Sequence, residues 1–460
     1  MSAAPRHARA RLTEGPVEAT LLKLSGSMLI GIASVVMFNV VDTFYIGQLG
    51  SAELAAISFT FPITMLVMSL AMGLSVGTSA LISRVIGAGD HSRVQRLTSD
   101  CLVLALILVV SLSIVGYLTI EPVFKLLGAG AQQLLHIRQY MEVWYLGIGL
   151  VVIPMVGNSA IRATGDTKTP SRVMMVAAAL NVILDPLFIF GIGPFPRLEV
   201  QGAAIASLIS YSVTFVFALW VLGCREKMLC FNLPAIRQLT ESWKQLVQVA
   251  LPVAATNMLT PLTAALLTHL IAGFGPQAVA AYGVGTRIES LVMIGVMAMS
   301  SVLTPFIGQN WGAGKIDRIE TSMIFSIRFA VLWGGGACIF LAVMAIPLTA
   351  LFAEDATIVD LAARYLWIVP ISYMGLALVT LGSSTFNAFQ QPRQAAQLVI
   401  TRLLLLTLPL AYLGAYFWGL NGIFAGIAVA NLGAGFFSWR SLTVKRRDIV
   451  SKLTSQPQGS

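Results

Sequence analysis

The chain has 460 residues, of which 57% are hydrophobic and only 11% are charged. A soluble domain usually carries about 25% charged residues, so this composition excludes a soluble fold and predicts an all-α polytopic membrane protein. The net charge of +9 does not indicate nucleic-acid binding, because the Lys and Arg residues lie in short loops between apolar runs.

Twelve apolar runs are long enough to cross a bilayer as helices, which takes about 20 residues each. In chain order they cover residues 20–47, 55–82, 98–120, 139–161, 171–192, 202–222, 246–272, 278–306, 323–348, 362–386, 395–417 and 420–440. Several exceed the required length, which indicates tilted or kinked spans. The polar and basic residues 1–19 contain no signal-peptide cleavage pattern.

The distribution of basic residues predicts the orientation of the spans. With the N-terminus inside, only four of the 29 Lys and Arg residues face outward, namely Lys125, Arg138, Arg197 and Arg364, while Arg287 lies within a span. An excess of basic residues on one side marks the cytoplasmic face of a membrane protein. We therefore expect a bacterial inner-membrane protein with both termini in the cytoplasm.

An internal repeat relates the two halves of the chain. The run Leu49-Gly-Ser-Ala-Glu-Leu-Ala-Ala56 matches a run that starts at Phe274, 225 residues later. The same offset aligns the two Gly-Ala-Gly loops that end at Gly89 and Gly314, and after a small slip Gly202 matches Gly422. Repeats that begin six spans apart share one orientation, which is typical of transporters built from parallel repeats.

The repeat predicts two lobes of six helices each. The predicted domains are an N-terminal tail (1–19), a first lobe (20–222), a cytoplasmic linker (223–245), a second lobe (246–440) and a C-terminal tail (441–460).

The motifs that are absent exclude several protein classes. No phosphate-binding loop Gly-x-x-x-x-Gly-Lys-Ser/Thr occurs, so ATP-driven transport is not expected. The four histidines and four cysteines share no metal-ligand spacing, and the sequence contains no nucleophile elbow. We therefore expect no enzymatic activity, no cofactor and no metal apart from Na⁺ as a coupling ion. A two-lobed repeat without such sites indicates a secondary transporter.

Two carboxylates lie at a shared depth in the first lobe. Asp42 is about 8 Å and Asp185 about 10 Å from the outer ends of their spans, at ~1.5 Å per residue. A carboxylate inside a bilayer costs roughly 2.5–3.5 kcal/mol and needs a partner or a proton. Asn181 lies one helical turn before Asp185, and Pro186 frees the carbonyl group of Val182 from its helical hydrogen bond. The alternative is a proline kink with a protonated, merely packed Asp185.

The second lobe lacks this acid pair. At the repeat offset Asp42 maps onto Leu267, and the span of Asp185 maps onto the acid-free stretch around 403–410. Packing alone would not single out one half of a repeat, so the asymmetry predicts a functional role for the pair.

Four motifs carry a family resemblance that covers about residues 20–440. They are the repeated Leu-Gly-x-x-x-Leu-Ala-Ala, the Gly-Ala-Gly loops, Arg162-Ala-Thr-Gly-Asp166, and Asn181-x-x-x-Asp185-Pro186. Together they resemble the multidrug and toxic compound extrusion (MATE) family, and the first-lobe acids resemble its DinF-like branch.

The resemblance implies a cation or proton site at Asp42, Asn181, Asp185 and Ser207. Ser207 stands where the family pattern suggests threonine, which keeps the hydroxyl oxygen. Ser27 stands where relatives often carry a proline that bends the first span. The remaining hinge candidates are Gly26, Gly31 and Pro186.

A second group of residues is compatible with several roles. Glu289, in the middle of the eighth span, either packs structurally or binds substrate or protons. Arg287 is a further candidate for a substrate or second-lobe site, although residues two apart on a helix point to different faces and need not pair. The candidates for a substrate cavity that accepts many shapes are Met37, Phe38, Met65, Met258 and Met293.

These features predict a monomeric antiporter that exports amphipathic, mostly cationic drugs across the lipid bilayer in exchange for H⁺ or Na⁺. The alternative is a lipid-linked precursor flippase, although such relatives usually have extra spans and a basic cavity. A membrane acyltransferase would need a catalytic pair at membrane depth, where only His269 comes close. Nothing in the sequence suggests the symmetric oligomeric pore of a channel.

Overall fold

The computed structural model describes residues 10–48, 51–230, 232 and 236–454. Several predictions fall partly outside these residues. They concern the N-terminal tail before residue 10, the repeat motif at Leu49 and Gly50, part of the linker, and the C-terminal tail after residue 454.

The described chain consists of α-helices, as the long apolar runs predict. The helices are α1 (Val17–Gly47), α2 (Ser51–Ala88), α3 (His91–Leu118), α4 (Ile120–Leu126), α5 (Ala131–Ala163), α6 (Lys168–Phe190), α7 (Glu199–Trp220), α8 (Ile236–Ala272), α9 (Pro276–Val292), α10 (Ile294–Gly312), α11 (Ile316–Ala350), α12 (Ala356–Ile368), α13 (Tyr373–Ala388), α14 (Pro392–Ile400) and α15 (Leu408–Thr454). Short 3₁₀ turns occupy Arg11–Thr13 and Val369–Ser372, and wider π-helical turns occupy Val221–Arg225 and Thr401–Thr407.

These helices account for the twelve predicted spans. Helices α9 and α10 form one span with a bend of 44°, and α12 and α13 together form another. The stretch Pro392–Ser451 has 60 residues, enough to cross a hydrocarbon layer of about 30 Å twice. Its helical geometry breaks at Trp418 and Gly419. The prediction of an all-α protein with twelve spans is therefore confirmed.

The break in α15 reverses the direction of the chain. A Cβ atom on Gly414 would lie 2.0 Å from the carbonyl oxygen of Gly422, and one on Gly426 would lie 2.4 Å from that of Leu410. The residues before and after the break therefore face each other in antiparallel order. Glycine at these positions lets two helix backbones touch, which is the usual way that membrane helices pack closely.

The internal repeat is visible in the backbone. Gly202 of α7 contacts the backbone of α6, where a Cβ atom would lie 2.4 Å from the carbonyl oxygen of Phe188. Its counterpart Gly422 makes the equivalent approach in the second half. Gly89 and Gly314, which the repeat also aligns, both have positive φ angles, 81° and 69°. Corresponding glycines therefore serve the same structural purpose in each half.

The chain forms two compact units whose boundaries fall inside helices. Among the described residues, the first unit contains Ala10, Arg11 and Gly26–Ala254, and the second contains Leu12–Ser25 and the chain from Ala255 to Thr454. Each unit therefore includes the beginning of a long helix, α8 or α1, whose remainder belongs to the other unit. Of the predicted lobe boundaries, residue 222 lies in the turn Val221–Arg225 that follows α7, and residue 246 lies within α8.

The beginning of α8 packs into the first unit through small residues of α2. A Cβ atom on Gly73 would lie 2.3 Å from the carbonyl oxygen of Ala250. The indole N–H of Trp243 donates a 3.0 Å hydrogen bond to the carbonyl oxygen of Asp100. Close backbone contact and one directional bond together hold this part of α8.

In the second unit, side chains bind the backbone of Leu12–Gly15. The guanidinium group of Arg318 donates to three of its carbonyl oxygens at 2.5–3.1 Å. Asn310 and Lys315 each donate to one, at 3.1 and 2.9 Å, and Gln309 accepts from one N–H at 2.9 Å. These bonds satisfy backbone groups that no helix would satisfy.

The antiparallel contact at Gly414 leads to a stability prediction. We expect Gly414→Ala to destabilise the protein by about 1–3 kcal/mol, because an added methyl group must push two backbones apart. The measurement is the melting temperature of the purified protein in detergent.

Gly336 supplies the matched control, since a Cβ atom there meets nothing within 4 Å. Gly336→Ala should not lower the melting temperature, because the added methyl group meets nothing and alanine favours a helix more than glycine does. Equal melting temperatures for the two variants would contradict the close packing.

Candidate functional site

A polar network fixes the loop that leads into α6. The carboxylate of Asp166 accepts hydrogen bonds from the backbone N–H and the hydroxyl group of Thr169, at 3.0 and 2.6 Å, and forms an ion pair with Arg225. Burial opposes the charge, yet the Thr169 and Arg225 contacts hold the pKa of Asp166 below its ordinary value. Gly165 makes the turn with a positive φ of 91°. The Arg162–Asp166 motif therefore positions the start of α6.

Asn181 and Asp185 lie on the buried face of α6, and both side chains are completely buried. The Asn181 amide group donates to Asp185 Oδ1 at 3.0 Å and to Ser207 Oγ of α7 at 3.3 Å. The contact at Gly202 brings α7 close enough for the second bond. The structure thus joins three of the four residues that the family resemblance implies.

Three oxygen atoms at this site have no hydrogen-bond partner. They are Asp185 Oδ2, Asn181 Oδ1 and Asp42 Oδ1. Asp42, on α1, interacts electrostatically with Asp185, so the fourth implied residue belongs to the same group. Oxygen atoms buried away from water are costly unless something binds them. This arrangement suits a proton or a small hard cation.

Two tyrosines that the sequence did not single out complete the surroundings of the acids. Tyr140 of α5 and Tyr211 of α7 both interact electrostatically with Asp42 and Asp185. Tyr211 lies four residues after Ser207 and hence on the same helix face, which is a signal that sequence analysis can use. Tyr140 carries no comparable signal, because only the packing of α5 brings it near.

The remaining first-lobe candidates are dispersed. The ring of Phe38 contacts that of Tyr211 edge-on, with 6.2 Å between centroids, so Phe38 lies beside the acids. Met37 is 61% exposed on α1, and Met65 is half-buried on α2. Cavity-lining roles for these residues stay predictions.

The hinge candidates lie in continuous helices. A Cβ atom on Gly26 would meet nothing within 4 Å, whereas one on Gly31 would lie 2.9 Å from the Cα atom of Ser171. Helix α6 continues through Pro186 to its end at Phe190. Gly31 therefore serves close packing in this structure, and hinge motion at any of the three stays a prediction.

The second unit holds its own partly buried acid. Glu289 Oε2 accepts a 2.7 Å hydrogen bond from the hydroxyl group of Tyr365, and Arg402 interacts with the carboxylate electrostatically. Arg287 is exposed on another face of α9 and is not the partner of Glu289. Sequence analysis did not single out Arg402. Its span, 395–417, is otherwise strongly apolar and begins close to a basic loop, so Arg402 is grouped with the basic residues of the inner side.

The two methionines proposed for the second lobe occupy different environments. Met258 is 41% exposed on α8, whereas Met293 is buried at the bend between α9 and α10. The bend gives Met293 a structural position that the sequence pattern did not predict.

The shared amide group of Asn181 leads to a graded prediction. We expect Asn181→Leu to destabilise the protein by about 1–3 kcal/mol, because it leaves buried acceptors without a donor. Ser207→Ala removes only the longer bond and should lower the melting temperature less. An equal or larger effect of Ser207→Ala would contradict the central role of Asn181.

Comparison with known proteins places this geometry in a family. The MatE family model matches residues 28–187 and 252–413. The chain is 42% identical to the FAD transporter of Shewanella oneidensis over 424 residues, which cover 92% of this chain and 94% of the relative. It is 23% identical to the multidrug export protein MepA of Staphylococcus haemolyticus, over 92% and 93% of the two chains.

A solved structure shows the same fold. The Vibrio cholerae MATE transporter VcmN in its bent form superposes with a TM-score of 0.89 at 32% identity, covering 94% of this chain and 98% of that one. The family model, the full-length relatives and this structure agree, and the chain belongs to the MATE family of membrane transporters.

Proposed function

We propose that this protein is a secondary antiporter that exports aromatic organic molecules and couples their export to H⁺ at Asp42, Asn181, Asp185 and Ser207. One observation carries the proposal, namely the three buried oxygen atoms of Asp42, Asn181 and Asp185 that have no partner. A proton or Na⁺ would satisfy them. The assignment to the DinF-like branch remains a prediction that agrees with this location.

The proposed mechanism follows from the charge of the pair. In a low-dielectric interior two ionised carboxylates repel each other, so the pair gains from a proton or a cation. A proton that enters from outside neutralises one carboxylate and weakens the hold on a cationic substrate. Exchange of one H⁺ for one monovalent cation moves no net charge, so the pH gradient drives it at about 1.4 kcal/mol per unit.

Two substrate classes are supported by different relatives. The name of MepA favours amphipathic, mostly cationic drugs, which is the class that the acidic site also favours. The FAD transporter is more similar, at 42% identity over nearly the whole chain, and favours a flavin dinucleotide as the second candidate. Transport of either by the purified protein would argue against the flippase alternative.

We further propose an inner-membrane monomer with both termini in the cytoplasm. Basic loops support this orientation. Reporter fusions after Gly89, Asp166, Lys227 and Gly314 should report cytoplasm, and fusions after Arg197 and Gly275 the outer side. A reversed signal at any one of these positions would contradict the orientation.

The acid pair leads to a transport prediction. Asp42→Asn and Asp185→Asn should each abolish substrate efflux driven by a pH gradient in proteoliposomes, because each removes a titrating group with little change in volume. Asp360→Asn is the control, since Asp360 forms an exposed ion pair with Arg364 and such pairs contribute little. Wild-type efflux by either site variant would refute coupling at this pair.

The choice of ion leads to a separate prediction. If H⁺ couples, a pH step should drive efflux in sodium-free buffer, and Ser207→Ala should have little effect because a proton needs no set of ligands. If Na⁺ couples, Ser207→Ala should raise the sodium concentration required. Efflux that needs sodium and ignores pH would overturn the preference for H⁺.

A further inference from the structure

The second unit contains a partly buried arginine that the acid-pair mechanism does not use. Arg402 lies in the π-helical turn Thr401–Thr407, inside a membrane span. Among the described residues it forms no ion pair and its Nε atom, which is buried, makes no hydrogen bond. A cationic side chain inside a span is costly, and such residues usually have a function.

The backbone around Arg402 is irregular. The hydroxyl group of Thr407 donates a 2.7 Å hydrogen bond to the carbonyl oxygen of Arg402, five residues earlier, across the widened turn. Turns of this kind are rare and occur frequently at functional sites. The widened helix gives Arg402 a position that a regular helix would not.

Aromatic side chains surround the acid that faces Arg402. The ring of Tyr365 packs edge-on against Tyr282 and Phe424, with centroids 5.9 and 5.1 Å apart. Its hydroxyl group donates to Glu289 at 2.7 Å. The Tyr373 hydroxyl is buried next to the same carboxylate and interacts with it. Two groups that can bind an anion, the Tyr373 hydroxyl and the Arg402 guanidinium, therefore converge on the Glu289 carboxylate beside aromatic rings.

The internal repeat allows the fifth span of the second unit to be compared with that of the first. In the first unit the fifth span, α6, carries the buried acid Asp185, whereas the corresponding span of the second unit carries Arg402. One half thus offers oxygen atoms to cations, and the other offers a guanidinium group. Export of cations alone has no use for a guanidinium group at this position.

We propose that Arg402 is the anion-binding residue of a substrate site in the second unit and takes a phosphate or carboxylate group of an aromatic substrate. Glu289 is its counter-charge in the empty state, and the Tyr373 hydroxyl is a second donor. A guanidinium group suits this role because it presents several donors to one anion. The inference rests on the proposed transport function and names its substrate class.

The decisive experiment compares three probes that share an aromatic system but differ in charge. FAD carries a pyrophosphate, riboflavin is the same ring system without phosphate, and ethidium is a cation. Their efflux is measured with purified protein in phosphatidylcholine vesicles under a pH gradient. These vesicles contain no anionic lipid, so a lipid headgroup cannot substitute for the substrate phosphate.

Arg402→Gln should lower FAD efflux about tenfold or more, the size expected for a lost charge-assisted hydrogen bond. Riboflavin and ethidium efflux should stay within about twofold of wild type, and Arg402→Lys should retain part of the FAD efflux. Arg364→Gln is the matched control, because Arg364 is an exposed arginine of the same unit, paired with Asp360 at the surface, and it should leave all three rates unchanged. A uniform loss for all probes, or none, would overturn the proposal.

A binding measurement separates this proposal from the transport function. Glu289→Gln should tighten equilibrium binding of FAD to the detergent-solubilised protein, because it removes the competitor for Arg402, while Arg402→Gln should weaken it. A purely structural pair would make both variants less stable and neither a better binder, and this result would refute the proposal. If wild type binds FAD through Arg402 but moves no probe under any gradient, the transport proposal fails and the site stands.

Discussion

The hydrogen bonds of one amide group, on Asn181, hold the functional part of the first unit together. A carboxylate buried in a membrane helix needs a donor, and Asn181 is the donor to Asp185. The same group reaches Ser207, which ties α6 to α7. That reach requires two backbones in contact, and the contact requires glycine at 202. The site and the helix pairing therefore depend on each other.

Much of this arrangement can be predicted from the sequence. The twelve spans follow from apolar length, and even the break between the last two, at Trp418 and Gly419, coincides with the predicted gap. Asn181 and Asp185 are four residues apart, so their pairing follows from helix geometry alone. Gly202 and Gly422 match in the repeat, and both make close contacts.

Other features depend on packing between distant segments, which the sequence pattern does not encode. Tyr140 lies near the acids only because α5 packs where it does. Arg402 is one charge in an apolar span, and its partner Glu289 is more than a hundred positions away. The bend at Met293 lies two residues before Gly295, and a single glycine in an apolar span does not by itself predict a bend. The exchange of helix beginnings between the two units cannot be read from composition, because α1 and α8 are continuous in sequence.

The two halves share a backbone framework but differ in their charged residues. Corresponding glycines keep the same backbone contacts in each half, while the fifth span of each half carries a different charge, Asp185 in the first and Arg402 in the second. The shared framework needs only small residues at fixed points, so the charged positions are free to differ.

Side chains bind the backbone of Leu12–Gly15, and this determines which mutations the segment tolerates. Gln309, Asn310, Lys315 and Arg318 bind peptide N–H and carbonyl groups, which every residue possesses, and not the side chains of the segment. Substitutions in this segment should therefore cost little stability, whereas changes in its length or in its distance from α1 should disrupt the bonds. An insertion or deletion between residue 12 and Val17 would shift every bond by one peptide unit. The binding of this segment therefore depends on its length and position and not on the identity of its residues.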